Sequence, residues 1–439
     1  MNHKPLLLDK FQKHHATVGV IGLGYVGLPL ALAFAERGFH AIGLDIDPSK
    51  IDALRGGRCY IHHIGDARVQ RTVSSGHFSA SSDFGRLAEC DAIMICVPTP
   101  LSETRDPDLS YVESTTRQIL RTLRGGQLIV LESTTYPGTT DELVKPILEE
   151  SGLCSGRDFY LAFSPEREDP GNTTYTTVTI PKVVGGCDRD AGDLAETLYS
   201  QVIGKVVRVS SAAAAEATKI TENVFRAVNI ALVNELKVVY ERMGLDVWEI
   251  LDAAATKPFG FMRFNPGPGW GGHCIPLDPF YLSWKAREHG IDTKFIELAG
   301  EINRGMPNYV VDRLQGALNE RSKPVRGSAV LLLGMAYKKD VGDTRESPAF
   351  PIAQRLLALG AQVTYHDPFV AEMPETRHWP GRPELRSVPL TAEQLAQQDA
   401  VVIVTDHSQV DYKLVLRHAR LIVDARGVYR DREPHVVKA

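Results

Sequence analysis

A glycine-rich segment that ends in a cysteine is the part of the sequence best suited to covalent chemistry. Residues 265–281 read N-P-G-P-G-W-G-G-H-C-I-P-L-D-P-F-Y, with a run of glycines just before His273 and Cys274. Glycine loses the most backbone entropy on ordering, so we expect no regular helix or strand here, and close approach of the backbone to a ligand. A cysteine near His273 and Asp278 has the setting of an activated thiolate nucleophile. A structural thiol and a merely flexible loop are the alternatives.

A second segment has the pattern of a dinucleotide-binding turn. Gly22, Gly24 and Gly27 stand in G-L-G-Y-V-G after a β-type run, and Asp45 ends the next such run. The three glycines permit, in order, a tight turn, approach to a pyrophosphate at a helix N-terminus, and close helix–strand packing. Asp45 would bind an adenosine ribose diol, and it favours NAD over NADP because a 2′-phosphate would meet its negative charge and no arginine adjoins it to bind that phosphate. A purely structural turn is the alternative.

Two further groups of polar residues could bind anions or assist proton transfer. Lys219 and Asn223 are four residues apart in a predicted helix and therefore share one face, which could equally be a solvated face. Near the C-terminus Lys338, Lys339 and Arg345 gather in the segment G-M-A-Y-K-K-D-V-G-D-T-R-E-S-P. This cluster suits phosphate or carboxylate recognition, and a surface charge cluster is the alternative.

Elements that could position these residues follow an alternating strand–helix pattern, which indicates a doubly wound parallel sheet. Residues 212–243 contain no Pro or Gly and close at Gly244, which predicts one long helix of about 48 Å. Further helices are expected to residue 320, and a linker at 322–327 precedes a second α/β unit. The predicted fold class is α/β, with two Rossmann-like domains joined by the long helix and a helical middle domain. The expected boundaries are 1–205, 206–322 and 323–439.

Composition excludes several classes of protein. With 439 residues, 43% hydrophobic and 23% charged, the chain matches a globular protein of two or three domains. The net charge of −5 gives no reason to bind nucleic acid or an anionic membrane. The N-terminal apolar run 6–8 is too short for a signal peptide or membrane span, so a cytoplasmic location is expected. Six scattered cysteines lack disulfide or zinc spacing, so no metal is expected, and Cys90 and Cys96 are interpreted as buried and inert.

Taken together and in order, these segments resemble the UDP-glucose/GDP-mannose dehydrogenase family over roughly residues 16–430. The resemblance rests on GLGYVGLPLA with Asp45, ESTTYPGTT at 132–140, KITEN at 219–223, GPGWGGHCIPLDPFYL at 267–282 and GMAYKKDVGDTRESPA at 334–349. The glycine loop and the later FIELAGEIN are most similar to the branch that acts on UDP-N-acetylhexosamines in bacterial surface-polysaccharide (O-antigen) pathways.

The resemblance implies an NAD-dependent four-electron oxidation of the C6 alcohol of a UDP-sugar to a carboxylate. UDP-N-acetylglucosamine is the expected substrate, with UDP-N-acetylmannosamine, UDP-N-acetylgalactosamine and UDP-glucose as alternatives. It also implies an NAD-binding first domain, a UDP-sugar-binding third domain, and a homodimer packed through the long helix or a dimer-based oligomer. A two-electron dehydrogenase of the β-hydroxyacid type and a ligand sensor without turnover are the rival interpretations.

The resemblance also assigns roles to individual residues. The catalytic set is Cys274 as nucleophile with Lys219, Asn223, Asp278, Thr135 and Glu166. The cofactor set is Gly22, Gly24, Tyr25, Val26, Gly27, Asp45, Thr99, Thr135 and Arg345. The substrate set is Lys219, Asn223, Arg263, Gly267, Gly269, Gly271, Gly272, His273 and Lys338.

One segment departs from the family pattern. The glucose and mannose members carry a catalytic glutamate in PEFLxE, whereas this chain reads PEREDPG and has Pro170 at the ungapped position. Glu166 and Glu168 are the nearby candidates for the general base.

Overall fold

The chain divides into two compact units. The computed structural model describes residues 3–61, 64–102, 106–167, 176–272, 275–376, 379, 381 and 383–439. The first unit comprises residues 1–222 and 284–291, and the second comprises 223–283 and 292–439. Three predicted site residues lie outside the described residues: Glu168, His273 and Cys274.

The first unit is built on an eight-stranded sheet with the strand order β3-β2-β1-β4-β5-β6-β7-β8. The strands are β1 (Thr17–Ile21), β2 (His40–Leu44), β3 (Phe78–Ser81), β4 (Ala92–Ile95), β5 (Leu128–Leu131), β6 (Tyr160–Phe163), β7 (Lys182–Gly186) and β8 (Val206–Arg208). Ala92 and Met94 face one core cluster and Ile93 and Ile95 face another. The sheet is therefore buried on both faces, as a doubly wound sheet requires.

Helices cover this sheet and lead into the second unit. They are α1 (Lys4–Gln12), α2 (Gly27–Glu36), α3 (Pro48–Arg55), α4 (Asp66–Ser74), α5 (Ser110–Leu120), α6 (Lys145–Glu149), α7 (Arg189–Ser200) and α8 (Ala212–Arg242). The 31-residue α8 matches the predicted long helix, and Gly244 follows it with φ 75°. The unit boundary falls within α8, between Glu222 and Asn223.

One pairing differs from the expected parallel sheet, because β7 runs antiparallel to β6. A parallel neighbour needs a crossover connection, usually a helix. No helix is seen in the described part of the β6–β7 connection, at residues 164–167 and 176–181. The strands β3 and β8 have only four and three residues and were not predicted.

The second unit combines helices with a five-stranded parallel sheet of order β10-β9-β11-β12-β13. Its elements are α9 (Val247–Ala254), α10 (Asp278–Glu288), α11 (Lys294–Asn319), β9 (Ala329–Leu333), α12 (Ala349–Ala358), β10 (Gln362–His366), α13 (Ala392–Gln397), β11 (Ala400–Ile403), α14 (Tyr412–His418), β12 (Ile422–Asp424) and β13 (Val436–Lys438). Residues 284–288 of α10 belong to the first unit.

The predicted fold class, with two Rossmann-like sheets and a helical region between them in sequence, is confirmed. The segment 265–281 is irregular as far as residue 272, but its last part begins α10 and is helical, contrary to the expectation. Within the described part of the chain, no helix has the length and apolar character needed to cross a membrane.

Candidate functional site

The turn between β1 and α2 has the geometry of a phosphate cradle. Gly22 adopts φ 91°, and a Cβ there would lie 2.4 Å from the Cys96 carbonyl oxygen. A Cβ on Gly27 would lie 2.0 Å from the Gly22 oxygen, so both positions require glycine. A Cβ on Gly24 would meet no atom within 4 Å, which leaves open space beside the backbone. The turn lies where the strand order reverses between β1 and β4, the usual ligand position in such sheets.

Asp45, directly after β2, is held by three donors. Its Oδ2 accepts hydrogen bonds from the Leu23 N–H and from Lys50 Nζ, both at 2.9 Å, and its Oδ1 accepts from the Asp47 N–H at 3.0 Å. Lys50 was not predicted, because only arginine was considered beside Asp45. The signal was available, because Lys50 lies in the first turn of the helix that follows the strand. These residues fit a dinucleotide: the cradle admits a pyrophosphate and the carboxylate can bind a ribose.

The other predicted cofactor residues lie around the same turn. Tyr25 is 43% exposed, Val26 is the N-cap residue of α2, and Thr99 is buried four residues beyond β4. The N-terminus of helix α2, an aromatic ring and a buried hydroxyl therefore lie around the point where the strand order reverses between β1 and β4.

The segment after β5 carries Thr135, which is fully buried and whose Oγ1 has no hydrogen-bond partner among the described residues. The residue that holds this segment, Glu216, was not predicted from the sequence. Glu216 of α8 is also fully buried and accepts hydrogen bonds from the Gly138 N–H at 2.5 Å, the Thr140 N–H at 2.9 Å and Thr140 Oγ1 at 2.6 Å. Burial raises the pKa of Glu216 to about 7, although these hydrogen bonds oppose the rise.

Lys219 lies on α8 one turn after Glu216, and Asn223 follows one turn later. Lys219 is 8% exposed and Asn223 is 2% exposed, so the solvated-face alternative is wrong. Asn223 Nδ2 donates to Asp278 Oδ2 at 2.6 Å, which joins α8 to the first residue of α10. The structure therefore brings together two residues that lie 55 positions apart and that the sequence analysis selected independently.

Glu166, the described candidate for the missing glutamate, is half-buried after β6. It lines a small cavity together with Arg167 and Lys182. Lys182 Nζ donates to Glu132 Oε2 at 2.7 Å, and the Tyr199 hydroxyl donates to the other oxygen of that carboxylate. Burial raises the pKa of Glu132, the charge of Lys182 opposes this rise, and the charge of Glu166 adds to it. Glu166 thus lies near a buried ion pair that the sequence did not reveal.

The loop 267–272 packs closely against the segment that follows β9. A Cβ on Gly271 would lie 2.6 Å from the Tyr337 Cβ, and a Cβ on Gly272 would lie 2.8 Å from Cε2 of the Tyr337 ring. Gly269 adopts φ 126°. The Gly272 N–H donates to the Arg345 carbonyl at 2.9 Å, so the backbone of Arg345 contacts the loop.

The predicted anion-binding side chains have identifiable surroundings. The Arg345 guanidinium pairs with Asp343 at 2.6 Å and is 46% exposed. Arg263 pairs with Asp252 and donates to Asn265 Oδ1 at 3.0 Å. Lys338 is half-buried, and Lys339 lies 4.0 Å from Asp406. Charge clustering near the glycine loop is therefore present, although each arginine already has a carboxylate partner.

Three models of one family match successive parts of the chain. The NAD binding domain of the UDP-glucose/GDP-mannose dehydrogenase family matches residues 16–203, its central domain matches 213–305, and its UDP binding domain matches 331–431.

Individual relatives extend over nearly the full length. UDP-N-acetyl-D-glucosamine 6-dehydrogenase of Pseudomonas aeruginosa is 35% identical, over 89% of this chain and 90% of its own length. UDP-N-acetyl-D-mannosamine dehydrogenase of Pyrococcus horikoshii is 34% identical, over 94% and 96%. A solved structure of UDP-D-ManNAc dehydrogenase from Pyrococcus horikoshii superposes with a TM-score of 0.87 at 32% identity, over 96% of this chain and 98% of that one.

Proposed function

Because the chain belongs to the UDP-glucose/GDP-mannose dehydrogenase family and is an NAD-dependent UDP-sugar dehydrogenase, we propose that it oxidises C6 of a UDP-N-acetylhexosamine to the carboxylate. UDP-N-acetylglucosamine is the proposed substrate. Relatives named for the glucosamine and mannosamine sugars have nearly equal identity, so the choice between these sugars rests on the glycine-loop sequence. We place the product in the synthesis of a bacterial surface polysaccharide.

The observation that carries the proposal is the buried polar row on α8. Lys219 and Asn223 lie one turn apart, both buried, and Asn223 binds the carboxylate of Asp278. Asp278 follows Cys274 by four residues in the chain. A buried cation and a buried amide–carboxylate pair are costly to place in a core, which favours a chemical role over a structural one.

Cys274 accounts for the removal of four electrons from one carbon. NAD, when bound, would supply the hydride acceptor for C6, and two NAD molecules would be consumed in succession, one for each oxidation step. Between them, the thiolate sulfur of Cys274 adds to the C6 aldehyde carbon and forms a thiohemiacetal, whose oxidation leaves a thioester. Water then attacks the thioester carbon, the C–S bond breaks, and the carboxylate and the thiol are released. Covalent attachment keeps the aldehyde from escaping.

Neighbouring residues supply charge and proton transfer in this scheme. Lys219 stabilises the oxygen that becomes negative on C6, a contribution on the order of 3 kcal/mol for one preorganised donor. Asp278, held by Asn223, accepts a proton from the attacking water. Thr135 presents a buried hydroxyl that has no hydrogen-bond partner among the described residues. Glu166 takes the place of the family glutamate as general base.

Each of the two sheets belongs to the part of the chain that binds one ligand, NAD in the first case and the UDP-sugar in the second. In this proposal residues 1–205 bind NAD through the Gly22 turn and Asp45, residues 206–322 carry the catalytic residues, and residues 323–439 bind the UDP part. Lys338 contacts the UDP part, and Arg263, His273 and the loop 267–272 cradle the sugar nucleotide. When the cofactor binds, the Arg345 guanidinium leaves its ion pair with Asp343 and contacts the cofactor instead.

We further propose a homodimer packed through α8 and a cytoplasmic location. Phe225, Leu232 and Val239 are spaced seven residues apart on α8 and are 49%, 50% and 45% exposed. A heptad spacing of large apolar residues is typical of a helix that packs against another helix. Exposed apolar patches of this kind mark interaction surfaces.

The proposal is tested by measuring NADH fluorescence against a panel of UDP-sugars. We expect the highest kcat/KM with UDP-N-acetylglucosamine and two NADH per sugar consumed. One NADH per sugar would favour the two-electron rival, and sustained ligand binding with no NADH would favour the sensor. A preference for UDP-N-acetylmannosamine would support the proposed reaction and change only the sugar assigned as substrate.

A further inference from the structure

The first glycine of the glycine-rich loop is held by two side chains from one turn of α8. Asn234 Oδ1 accepts a hydrogen bond from the Gly267 N–H at 2.9 Å. Lys237 Nζ donates to the Gly267 carbonyl at 3.0 Å. The two residues are three apart and therefore lie on the same helix face. We call the pair Asn234 and Lys237 the Gly267 clamp.

We propose that Asn234 and Lys237 are positioning residues for the reaction, because the Gly267 clamp fixes the start of the loop that leads into Cys274. This inference rests on the proposed function of that cysteine. Neither residue belongs to the predicted catalytic or binding sets, and both act through the loop backbone.

The orientation of the Asn234 amide is set by a neighbour. Asn303 Nδ2 donates to the carbonyls of Ala299 at 3.0 Å and Ala227 at 3.3 Å, which leaves its Oδ1 to accept. Asn234 Nδ2 donates to that Oδ1 at 2.8 Å, so the Asn234 oxygen faces the Gly267 N–H. Asn234 and Asn303 are 0% and 1% exposed, and a reversed amide would leave buried donors facing each other.

Lys237 is a costly residue to bury in this place. It is 2% exposed and has no carboxylate within ion-pair distance among the described residues. Burial, together with the nearby Arg426, lowers the pKa of Lys237 to about 7, while Asp424 acts in the opposite direction. A methionine of similar length would avoid this cost. What lysine supplies in return is an N–H donor for the Gly267 carbonyl, and its Nζ also lies 5.4 Å from the centroid of the Tyr309 ring.

The rest of the loop depends on this anchor. A Cβ on Gly267 would lie 2.9 Å from Arg426 Nη1, so the peptide is enclosed on a third side. At the other end, Gly272 donates to the Arg345 carbonyl. Four glycines give the loop many accessible backbone conformations, and fixing both ends removes most of them. A misplacement of about 1 Å at a reacting group can cost about 100-fold in rate.

The test compares Lys237→Met and Asn234→Ala in the full-length protein with Glu235→Gln, a control at an exposed position on the same helix. Amide hydrogen exchange is measured without ligand on peptides that cover residues 262–272. We expect about tenfold faster exchange at 267–272 in both clamp variants, the loss of one net hydrogen bond. Exchange elsewhere on α8 and in the control should remain as in the wild type.

Steady-state kinetics supply the readout that a purely structural role would not produce. We expect kcat/KM for the UDP-sugar to fall about tenfold, with KM for NAD unchanged and with partial rescue in Lys237→Gln, which keeps an N–H donor. Wild-type exchange rates at 267–272 in both clamp variants would overturn the clamp and leave the proposed function intact. A wild-type protein without turnover on any UDP-sugar would overturn the proposed function, and the exchange result would still stand. If Lys237→Met fails to fold, Lys237→Gln and Asn234→Ala decide the outcome.

Discussion

Asn223 and Asp278 form a buried hydrogen bond of 2.6 Å between the middle of the long helix and the first residue of α10. Both side chains are 2% exposed. Because the amide donates to the carboxylate, Asp278 is held in one orientation close in sequence to Cys274. A carboxylate fixed in this way can accept a proton from water without first reorganising.

Replacing Asp278 by Asn should separate thioester formation from hydrolysis. The new amide oxygen can still accept from Asn223, so the fold is retained while the base is lost. We expect kcat to fall about 100-fold, with a rapid burst of NADH before the slow phase. Stopped-flow fluorescence measures both phases. Asp292→Asn, at an exposed position, is the control, and a slow phase without a burst would argue against a hydrolytic role.

Replacing Cys274 by Ser should stop the reaction before the free acid is released. A serine oxygen is a weaker nucleophile toward the aldehyde, and an ester at this position hydrolyses more slowly than a thioester. We expect an enzyme-bound ester or released aldehyde, detected by mass spectrometry of the protein and of the products. Cys154→Ser serves as the control because that thiol is half-buried and outside the proposed site. Full uronate production by Cys274→Ser would reject the covalent route.

The Gly22 turn and the long helix α8 could be predicted because each depends on residues that are close together in the sequence. The Gly22 turn requires positive φ and close packing at Gly27, and the bounds of α8 follow from a run without Pro or Gly that ends at Gly244. The same reasoning could have found Lys50, because it lies within one turn of the strand that ends at Asp45.

Long-range contacts could not be predicted from the sequence. Glu216 binds Gly138 from 78 residues away, and Lys182 binds Glu132 from 50 residues away. In a single sequence nothing distinguishes these charges from charges on a solvated surface. The antiparallel pairing of β7 with β6 could not be predicted either, because the residue pattern of a strand does not show in which direction it runs relative to its neighbour.

Replacing Asp45 by Ser should relax the preference for NAD. The substitution removes the negative charge that opposes a 2′-phosphate, and it frees Lys50, now 2.9 Å from that carboxylate, to pair with the phosphate. We expect the ratio of kcat/KM for NADP to that for NAD to rise about 100-fold, since like-charge contact costs several kcal/mol. The double variant with Lys50→Met should lose much of this gain. An unchanged ratio in Asp45→Ser would show that Asp45 does not contact the cofactor.

Replacing Glu216 by Gln should change how stability depends on pH. Burial raises the pKa of Glu216 to about 7 in the folded protein, against 4.5 as its ordinary value. Between these values the folded state binds more protons than the unfolded state, so this group makes wild-type stability fall as pH rises from about 4.5 to about 7. Glutamine does not titrate, so the free energy of unfolding of the wild type minus that of the variant should fall across this window by on the order of 3 kcal/mol.

Urea denaturation at several pH values measures this difference, with Glu222→Gln as the control on the same helix. Glu222 is half-buried and pairs with Arg167 instead, so Glu222→Gln shows the effect of removing a carboxylate from the same helix outside the contacts with Gly138 and Thr140. The difference should be flat above about pH 7, where Glu216 is ionised in both states. A difference that instead grows with pH would mean that the three donors on Gly138 and Thr140 outweigh burial. The carboxylate would then stabilise the Thr135 segment through its charge.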